Sequence, residues 1–203
     1  MGKLSVHQEA KNLFLQRDPA EIAAITGGIY LPGERLLELK YLTFPCQVNT
    51  AGEVTVNDGK IYLSRNEITL ILQYLTGSSG IQPRGQWVSF LQLPDGPHHH
   101  IPFKLEALDP LAETFGDDLP ELEDRAVTLG GQKIPMGDLG FVFNVFPKLP
   151  MAVVVWKGDD EFPAKANILF DANAPLHLTT AQLWVLGVQL VARLTQEARV
   201  DYL

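Results

Sequence analysis

The stretch FVFNVFPKLPMAVVVW, residues 141–156, decides the fold. Apolar residues alternate over Phe141–Val145, which is the period of a strand with one buried face. Met151–Trp156 is a continuous apolar run, typical of a central strand that is buried on both faces. Only Pro147–Pro150 separates these two segments, and strands joined by so short a link pair antiparallel. The segment 166–170 predicts a third strand of the same block.

A second β block is predicted at residues 35–63. Leu37, Leu39 and Tyr41 alternate with charged residues, so one face of this strand is apolar and the other is polar. Asn57-Asp58-Gly59 is a turn signal typical of an antiparallel meander. A further strand is predicted at residues 86–93.

Helices flank both blocks. Ser64 and Glu67 form a capping box before an apolar stripe with helical spacing, and Thr179 with Gln182 begins a C-terminal helix. The sequence therefore predicts an α+β fold, with antiparallel sheets in two β blocks flanked by helices and the C-terminal helix packed on the sheet. We expect residues 1–203 to form a single domain, with a hinge candidate at residues 77–80.

The charge balance excludes some partners. The chain has 16 Lys and Arg residues against 24 Asp and Glu residues, a formal net charge of -8. Without a basic cluster, binding to nucleic acid or to an anionic membrane is not expected. No apolar run reaches the ~20 residues of a membrane span, and residues 1–8 contain no apolar signal core. The single cysteine, Cys46, cannot form an internal disulfide or hold a cluster, so a reducing cytoplasm is expected and Cys46 is interpreted as a buried structural residue.

His98-His99-His100 is the first candidate site. Histidine is a common metal ligand, and in an extended segment His98 and His100 project to the same side. A third ligand is then needed, either a carboxylate or His177. The alternative is a polar loop between Pro97 and Pro102, because the spacing matches no known ligand signature.

Asp159 and Asp160, together with Asp171, form the second candidate. Carboxylates that converge at the end of a strand can hold Mg²⁺ or Ca²⁺, or act as acid and base. The alternative is a solvated hairpin turn followed by a helix-capping aspartate.

Arg84 and Trp87, with Tyr74, form a candidate cofactor-binding group. Arginine beside an aromatic ring can hold a carboxylate or phosphate. The alternative is that the aromatic residues belong to the core.

Several segments together resemble a known family. They are Ile71–Leu75, Gly85–Phe90, Leu93–Gly96, Trp156–Ala164 and Ile168–Asp171. This order is similar to an uncharacterised family, a domain of unknown function that occurs in anaerobic bacteria and archaea. The resemblance extends from about residue 27 to residue 194.

The resemblance implies a context rather than an activity. Some family members are fused to a cysteine-rich iron–sulfur segment of the kind found near corrinoid and one-carbon metabolism. Because this chain has only Cys46, the resemblance implies that any cluster belongs to a partner protein. The family provides no catalytic residues to carry over, and the cofactor stays unidentified.

Three functions are consistent with the sequence. The first is a non-catalytic binding module, with a pocket or groove between the two β blocks for a small cofactor or for a redox or one-carbon partner protein. The second is a metal-dependent enzyme that uses the His98–His100 segment with Asp159, Asp160 and Asp171. The third is a structural, homodimeric interaction protein.

Overall fold

The computed structural model describes residues 4–195. Its α-helices are α1 Val6–Leu15, α2 Pro19–Thr26, α3 Arg65–Gly77, α4 Gly96–Phe103, α5 Asp109–Phe115, α6 Leu119–Thr128 and α7 Thr180–Thr195. Its strands are β1 Ile29–Leu31, β2 Leu36–Tyr41, β3 Phe44–Asn49, β4 Val54–Val56, β5 Trp87–Ser89, β6 Gln132–Ile134, β7 Leu139–Phe146, β8 Leu149–Trp156 and β9 Lys165–Asp171.

Side-chain caps begin the helices where the sequence predicts them. Ser5 and Ser64 each accept a hydrogen bond from the backbone three residues later, and Gln8 and Glu67 bond back to complete two capping boxes. Asp18 caps α2 by accepting the N–H of Ala20. Each such cap satisfies a helix N–H that would otherwise lack a partner, a contribution of about 1 kcal/mol.

The strands form two antiparallel sheets. Sheet A has the order β1-β2-β3-β4, and sheet B has the order β5-β9-β8-β7-β6. The central strand of sheet B, β8, is buried from Leu149 to Val155, as the continuous apolar run predicts. The predicted α+β class, with two β blocks flanked by helices, is confirmed.

One cluster of buried apolar residues includes side chains from both sheets. Helix α7 packs against α3, α4 and α5 and reaches sheet B at Ile168, in agreement with the predicted packing of the C-terminal helix. Its approach depends on Gly187, where an added Cβ would lie 2.8 Å from the ring of Phe103 and 3.7 Å from Ile168. The extent of the domain and the hinge at residues 77–80 stay predictions.

A buried ion pair connects sheet A to helices α3 and α7. Glu67 is 1% exposed. Its carboxylate accepts hydrogen bonds from Arg193 Nε at 2.7 Å and Nη2 at 2.9 Å, and from the hydroxyl of Tyr41 at 2.7 Å. The N–H of Ser64 donates to the same carboxylate at 2.8 Å. Every oxygen of this buried acid therefore has partners, which is the condition for a buried charge to be tolerated.

The partners of Glu67 are themselves fixed. Arg193 also donates to the carbonyl of Tyr62 at 2.6 Å, and the hydroxyl of Ser64 donates to Gln189 on α7 at 2.7 Å. Burial, and then the nearby Glu67 carboxylate, raise the pKa of Tyr41 well above its ordinary value. Tyr41 therefore stays a hydrogen-bond donor at neutral pH.

The structure differs from the sequence-based expectations in the shortest elements. The strands β1 and β6 were not expected, since three residues are too few to show a period. The strand predicted at residues 86–93 is ordered as a strand only over β5, and Phe90–Gln92 forms a 3-10 turn.

The histidine segment is helical and is not the extended or loop segment that we expected. It forms α4, with Pro97 in the first turn, where a missing N–H is harmless. Pro102 lies inside this helix, and a π-helical turn follows at Lys104–Leu108. On a helix, His98 and His100 are about 200° apart around the axis, so they do not share a face.

None of the helices within residues 4–195 has the length and apolar character that a membrane crossing requires.

We predict that Arg193→Met lowers the free energy of unfolding by about 3 kcal/mol or more, because it leaves Glu67 charged and buried without its ion-pair partner. Urea denaturation at pH 7 measures this change. Lys133→Met is the matched control, since the Lys133–Glu123 pair is half exposed and such pairs contribute about 1 kcal/mol or less. If both variants lose the same free energy of unfolding, the buried pair is no more important than the exposed one, and the prediction is wrong.

Candidate functional site

The inter-sheet groove is a cavity of about 670 Å³ between sheet A and one end of sheet B. Its volume lies in the range of small-molecule sites. Its first wall consists of Gly27, Ile29, Glu38, Leu39, Lys40, Leu42, Thr43 and Pro45. Its second wall consists of Leu129, Gly130, Gln132, Asn144 and Pro147.

The turn between β2 and β3 holds the two walls together. Tyr41 pairs with Phe44, so Leu42 and Thr43 form a two-residue turn. The N–H of Leu42 donates to the carbonyl of Val145 in sheet B at 3.0 Å. Leu42 has a φ of +54°, a conformation that is strained for a bulky side chain. Strain of this kind persists only where the surrounding contacts impose it, and it is common beside functional sites.

Two glycines permit the walls to approach closely. Gly130 has a φ of +80°, and a Cβ there would lie 2.9 Å from Thr43. Gly27 has a φ of +82°, and a Cβ there would lie 3.1 Å from Pro147. A side chain at either position would therefore strain the backbone and push the two walls apart.

Some polar side chains of the groove already have hydrogen-bond partners, and others are available to bind a ligand. Glu38 already accepts a hydrogen bond from the side chain of Gln47 at 2.8 Å. Lys40 and Asn144 are exposed, and among residues 4–195 neither side chain has a hydrogen-bond or ion-pair partner. The groove thus presents the ammonium of Lys40, the neutral amides of Asn144 and Gln132 and the hydroxyl of Thr43 beside apolar side chains, a combination that suits a small ligand with an anionic or carbonyl oxygen.

A second space, the acidic cavity, contains part of the predicted metal site. It has a volume of about 980 Å³ and lies between the α4–α5 segment and the β8–β9 hairpin. His100, Asp159 and Asp160 line it, whereas His98 and Asp171 do not. The other carboxylates along its wall are Asp109, Glu113 and Asp117.

The residues of the acidic cavity are spread around it. Within residues 4–195, no three His, Cys, Asp or Glu side chains are grouped closely enough to hold a metal ion. The carboxylate of Asp159 turns back to accept the N–H groups of Glu161 and Phe162 at 2.9 and 2.7 Å, and these bonds lower the pKa of Asp159. The Nδ1 atom of His100 is buried without a partner among the described residues. Metal binding here stays a prediction.

Asp171 fixes a backbone segment. It is buried, and its carboxylate accepts the N–H groups of Arg84 at 2.8 Å, Gly85 at 2.7 Å and Asn173 at 2.9 Å. Trp87 in β5 pairs with Asp171 in β9. Asp171 therefore anchors the entry to β5, a role that its position in the sequence does not indicate.

The three residues of the candidate cofactor-binding group, Arg84, Trp87 and Tyr74, differ in their exposure to solvent. The Arg84 side chain is exposed, and Trp87 is partly buried. Tyr74 is fully buried, stacks on Phe146 with ring centroids 4.3 Å apart, and donates its hydroxyl to the carbonyl of Thr26 at 2.9 Å. Burial raises the pKa of Tyr74 to about 12. Whether these residues bind a cofactor stays a prediction.

Cys46 is fully buried in β3, as the sequence interpretation expects. Burial raises the pKa of its thiol to about 12, so the thiolate needed for nucleophilic chemistry is not formed at neutral pH.

Sequence reasoning missed a buried polar pair between Ser78 and His177. The hydroxyl of Ser78 lies 2.8 Å from Nδ1 of His177, which is 2% exposed. The Nε2 atom is also buried, with no hydrogen bond of good geometry among the described residues. His177, the suggested third metal ligand, thus lies in the interior and does not line the acidic cavity. The partners are 99 residues apart in sequence, so no local pattern marks them.

Burial is the main cause of a lowered pKa at His177. The nearby Ile81 backbone and Asp171 favour the proton and Lys148 opposes it, but the net pKa lies below the ordinary value of 6.5. The unfolded chain therefore binds a proton at a pH where the folded chain does not. The contribution of His177 to the free energy of unfolding is therefore greatest above pH 6.5 and decreases as the pH falls from 6.5 toward the folded-state pKa.

We predict that His177→Gln flattens this pH dependence, because glutamine keeps a polar group beside Ser78 and does not titrate. Urea denaturation between pH 7.5 and pH 5, expressed as the difference from the unchanged chain, measures the effect. His98→Gln is the control, since His98 is exposed. A His177→Gln profile parallel to that of the unchanged chain would show that His177 is not the titrating group.

Comparison with known proteins identifies the family and gives no relative of known activity. Searches of curated proteins and of solved structures each found no match. A family model matches residues 18–193, which cover both sheets and most of α7. This match confirms the resemblance to an uncharacterised domain; the association with anaerobes and with iron–sulfur fusions stays an expectation. The chain belongs to the family described as Domain of unknown function (DUF3786).

Proposed function

We propose that the domain is a non-catalytic binding module that holds a small cofactor in the inter-sheet groove. The observation that carries this proposal is the groove at the junction of the two sheets, where Lys40 and Asn144 have no side-chain partner among residues 4–195 and lie beside apolar side chains. Groups of this kind hold and orient a ligand, whereas catalysis needs a nucleophile or a base in addition. Among the described residues the walls contain no His or Cys, and their carboxylate, that of Glu38, already accepts a hydrogen bond from Gln47 at 2.8 Å.

The chemistry of the groove defines the ligand class. Ile29, Leu39 and Leu129 provide apolar surface, and Lys40 provides a positive charge at its margin. We therefore expect a partly apolar molecule with a carboxylate, phosphate or carbonyl oxygen that reaches Lys40 and Asn144.

The family resemblance supports a cellular context for this proposal. It favours a redox or one-carbon partner protein that carries an iron–sulfur or corrinoid group, in a reducing cytoplasm. The domain would then present its bound cofactor to that partner, since Cys46 is buried and cannot contribute to a cluster at the surface.

We predict that Asn144→Phe weakens binding by about tenfold or more, because the larger ring fills the groove. The measurement is isothermal titration with a corrinoid, a haem and a flavin in turn. Thr55→Phe is the matched control: it introduces the same ring at an exposed position of β4, outside the groove. The absence of binding by all three compounds, or equal binding by both variants, would contradict the proposal.

A metal-dependent enzyme is the second candidate function. It is favoured by one observation: His100, Asp159 and Asp160 line the acidic cavity together. It predicts stoichiometric metal in the purified protein, which is lost in His100→Ala and retained in His98→Ala. Elemental analysis that finds no metal in the unchanged protein would exclude it.

Self-association is the third candidate function. Helix α1 exposes Val6 and Leu13, which are 62% and 55% accessible, and such apolar side chains can pair with a second copy of the chain. Light scattering that finds a monomer at high concentration would contradict a homodimer.

A further inference from the structure

The aromatic cleft is a cavity of about 550 Å³ at the end of the β8–β9 hairpin; it adjoins the acidic cavity, with which it shares Phe162, Pro163, Lys165 and Ala166. Its walls include Trp156, Lys157, Phe162, Pro163, Lys165 and Asn167. Lys165 and Asn167 lie on the opposite face of β9 from Ile168, whose side chain lies near Gly187 of α7. The cleft therefore lies on the face of sheet B opposite α7, and it shares no residue with the inter-sheet groove.

Two large aromatic side chains remain exposed at this cleft. Trp156 is 42% accessible and Phe162 is 61% accessible. Exposed aromatic surface that lines a cavity is surface that a ligand can remove from water, with a gain in free energy proportional to the area covered. Two aromatic rings at one cavity thus indicate a ligand with a flat apolar part.

The backbone that carries these rings is ordered by contacts within the chain. Trp156 pairs directly with Lys165 across the strands. The segment before β7 supports the indole from one side, since a Cβ at Gly137 would lie 3.5 Å from Trp156 Cε2. The loop bearing Phe162 is closed by a hydrogen bond from Asp159 N to the carbonyl of Phe162 at 2.9 Å. A preordered site loses less conformational entropy when it binds.

The charge of the aromatic cleft is opposite to that of the whole chain. Among the described residues, Lys157 and Lys165 line it and no Asp or Glu does, although Asp138 beside it accepts the backbone N–H of Lys157 at 2.8 Å. Among residues 4–195, neither ammonium has a hydrogen-bond or ion-pair partner, although Lys165 lies over the Phe162 ring at 5.9 Å. Asp159 and Asp160 of the same hairpin line the neighbouring acidic cavity, which Lys165 lines as well. In a chain with a net charge of -8, this cleft favours an anion.

We propose that the aromatic cleft binds a planar aromatic anion, a nucleotide-like molecule whose ring stacks on Trp156 and whose phosphate lies between Lys157 and Lys165. Ring stacking on tryptophan tolerates many flat heterocycles. The ammonium groups of Lys157 and Lys165 repel cationic ligands and attract the phosphate of an anionic one. A neutral ring makes only the stacking contact with Trp156, and a phosphate without a ring makes only the contacts with the two lysines.

The test compares four probes by isothermal titration: flavin mononucleotide, adenosine monophosphate, riboflavin and inorganic phosphate. We expect at least one of the two nucleotides to bind, and which of them binds more tightly identifies the ring. Riboflavin and inorganic phosphate should each bind at least about tenfold more weakly than that nucleotide. No nucleotide binding at millimolar concentration, or equal binding by phosphate alone, would overturn the proposal.

Variants locate the site. Trp156→Leu and Lys157→Ser should each weaken nucleotide binding by about tenfold or more. Trp184→Phe, on α7, and the groove variant Asn144→Phe should leave it unchanged. Binding that is lost in Asn144→Phe and retained in Trp156→Leu would assign the nucleotide to the inter-sheet groove and overturn this proposal, while supporting the proposed function. Circular dichroism of each variant confirms that it is folded.

Discussion

The ion pair between Glu67 and Arg193 is the interaction on which the assembly of this fold depends. It lies where α3, α7 and the end of β2 meet, and it satisfies charges that would otherwise be costly to bury. A hydrophobic contact at this point would tolerate sliding, because apolar packing has no direction. The forked guanidinium and the Tyr41 hydroxyl instead require one arrangement of the three elements. The register of sheet A against the two helices is thereby fixed.

Next to this ion pair, a group of stacked aromatic rings connects sheet A and α3 to sheet B. The ring of Phe146 in β7 lies between Tyr41 and Tyr74, at centroid distances of 5.6 and 4.3 Å. Tyr74 in turn accepts the N–H of Lys148, and the ammonium of Lys148 donates to the carbonyls of Ile25 and Gly80 at 2.6 and 2.9 Å. Sheet B is thus attached to sheet A through an aromatic contact, and to α2 and α3 through hydrogen bonds of defined geometry.

Local chemistry decided which parts of the structure were predictable. The capping box of Ser64 and the apolar run Met151–Trp156 each contain their own signal, and both were located correctly. Helix α4 was missed because Pro97, three histidines and Pro102 are weak helix formers, and tertiary packing determines their conformation. The bond between Glu67 and Arg193 joins residues 126 positions apart. The inter-sheet groove was expected between the β blocks, but its side chains come from distant segments with no shared period.

The turn at Leu42 has two roles. Its N–H bonds to Val145 in sheet B, and its side chain lines the inter-sheet groove. A molecule seated there would contact both sheets at once, and it would find its site only in chains whose sheets are joined. Thermodynamic linkage then requires that the occupant and the junction stabilise each other, by an amount that grows with the logarithm of ligand concentration. A ligand that occupies the groove would therefore raise the free energy of unfolding of the domain, and the folded protein would persist longer where that ligand is abundant.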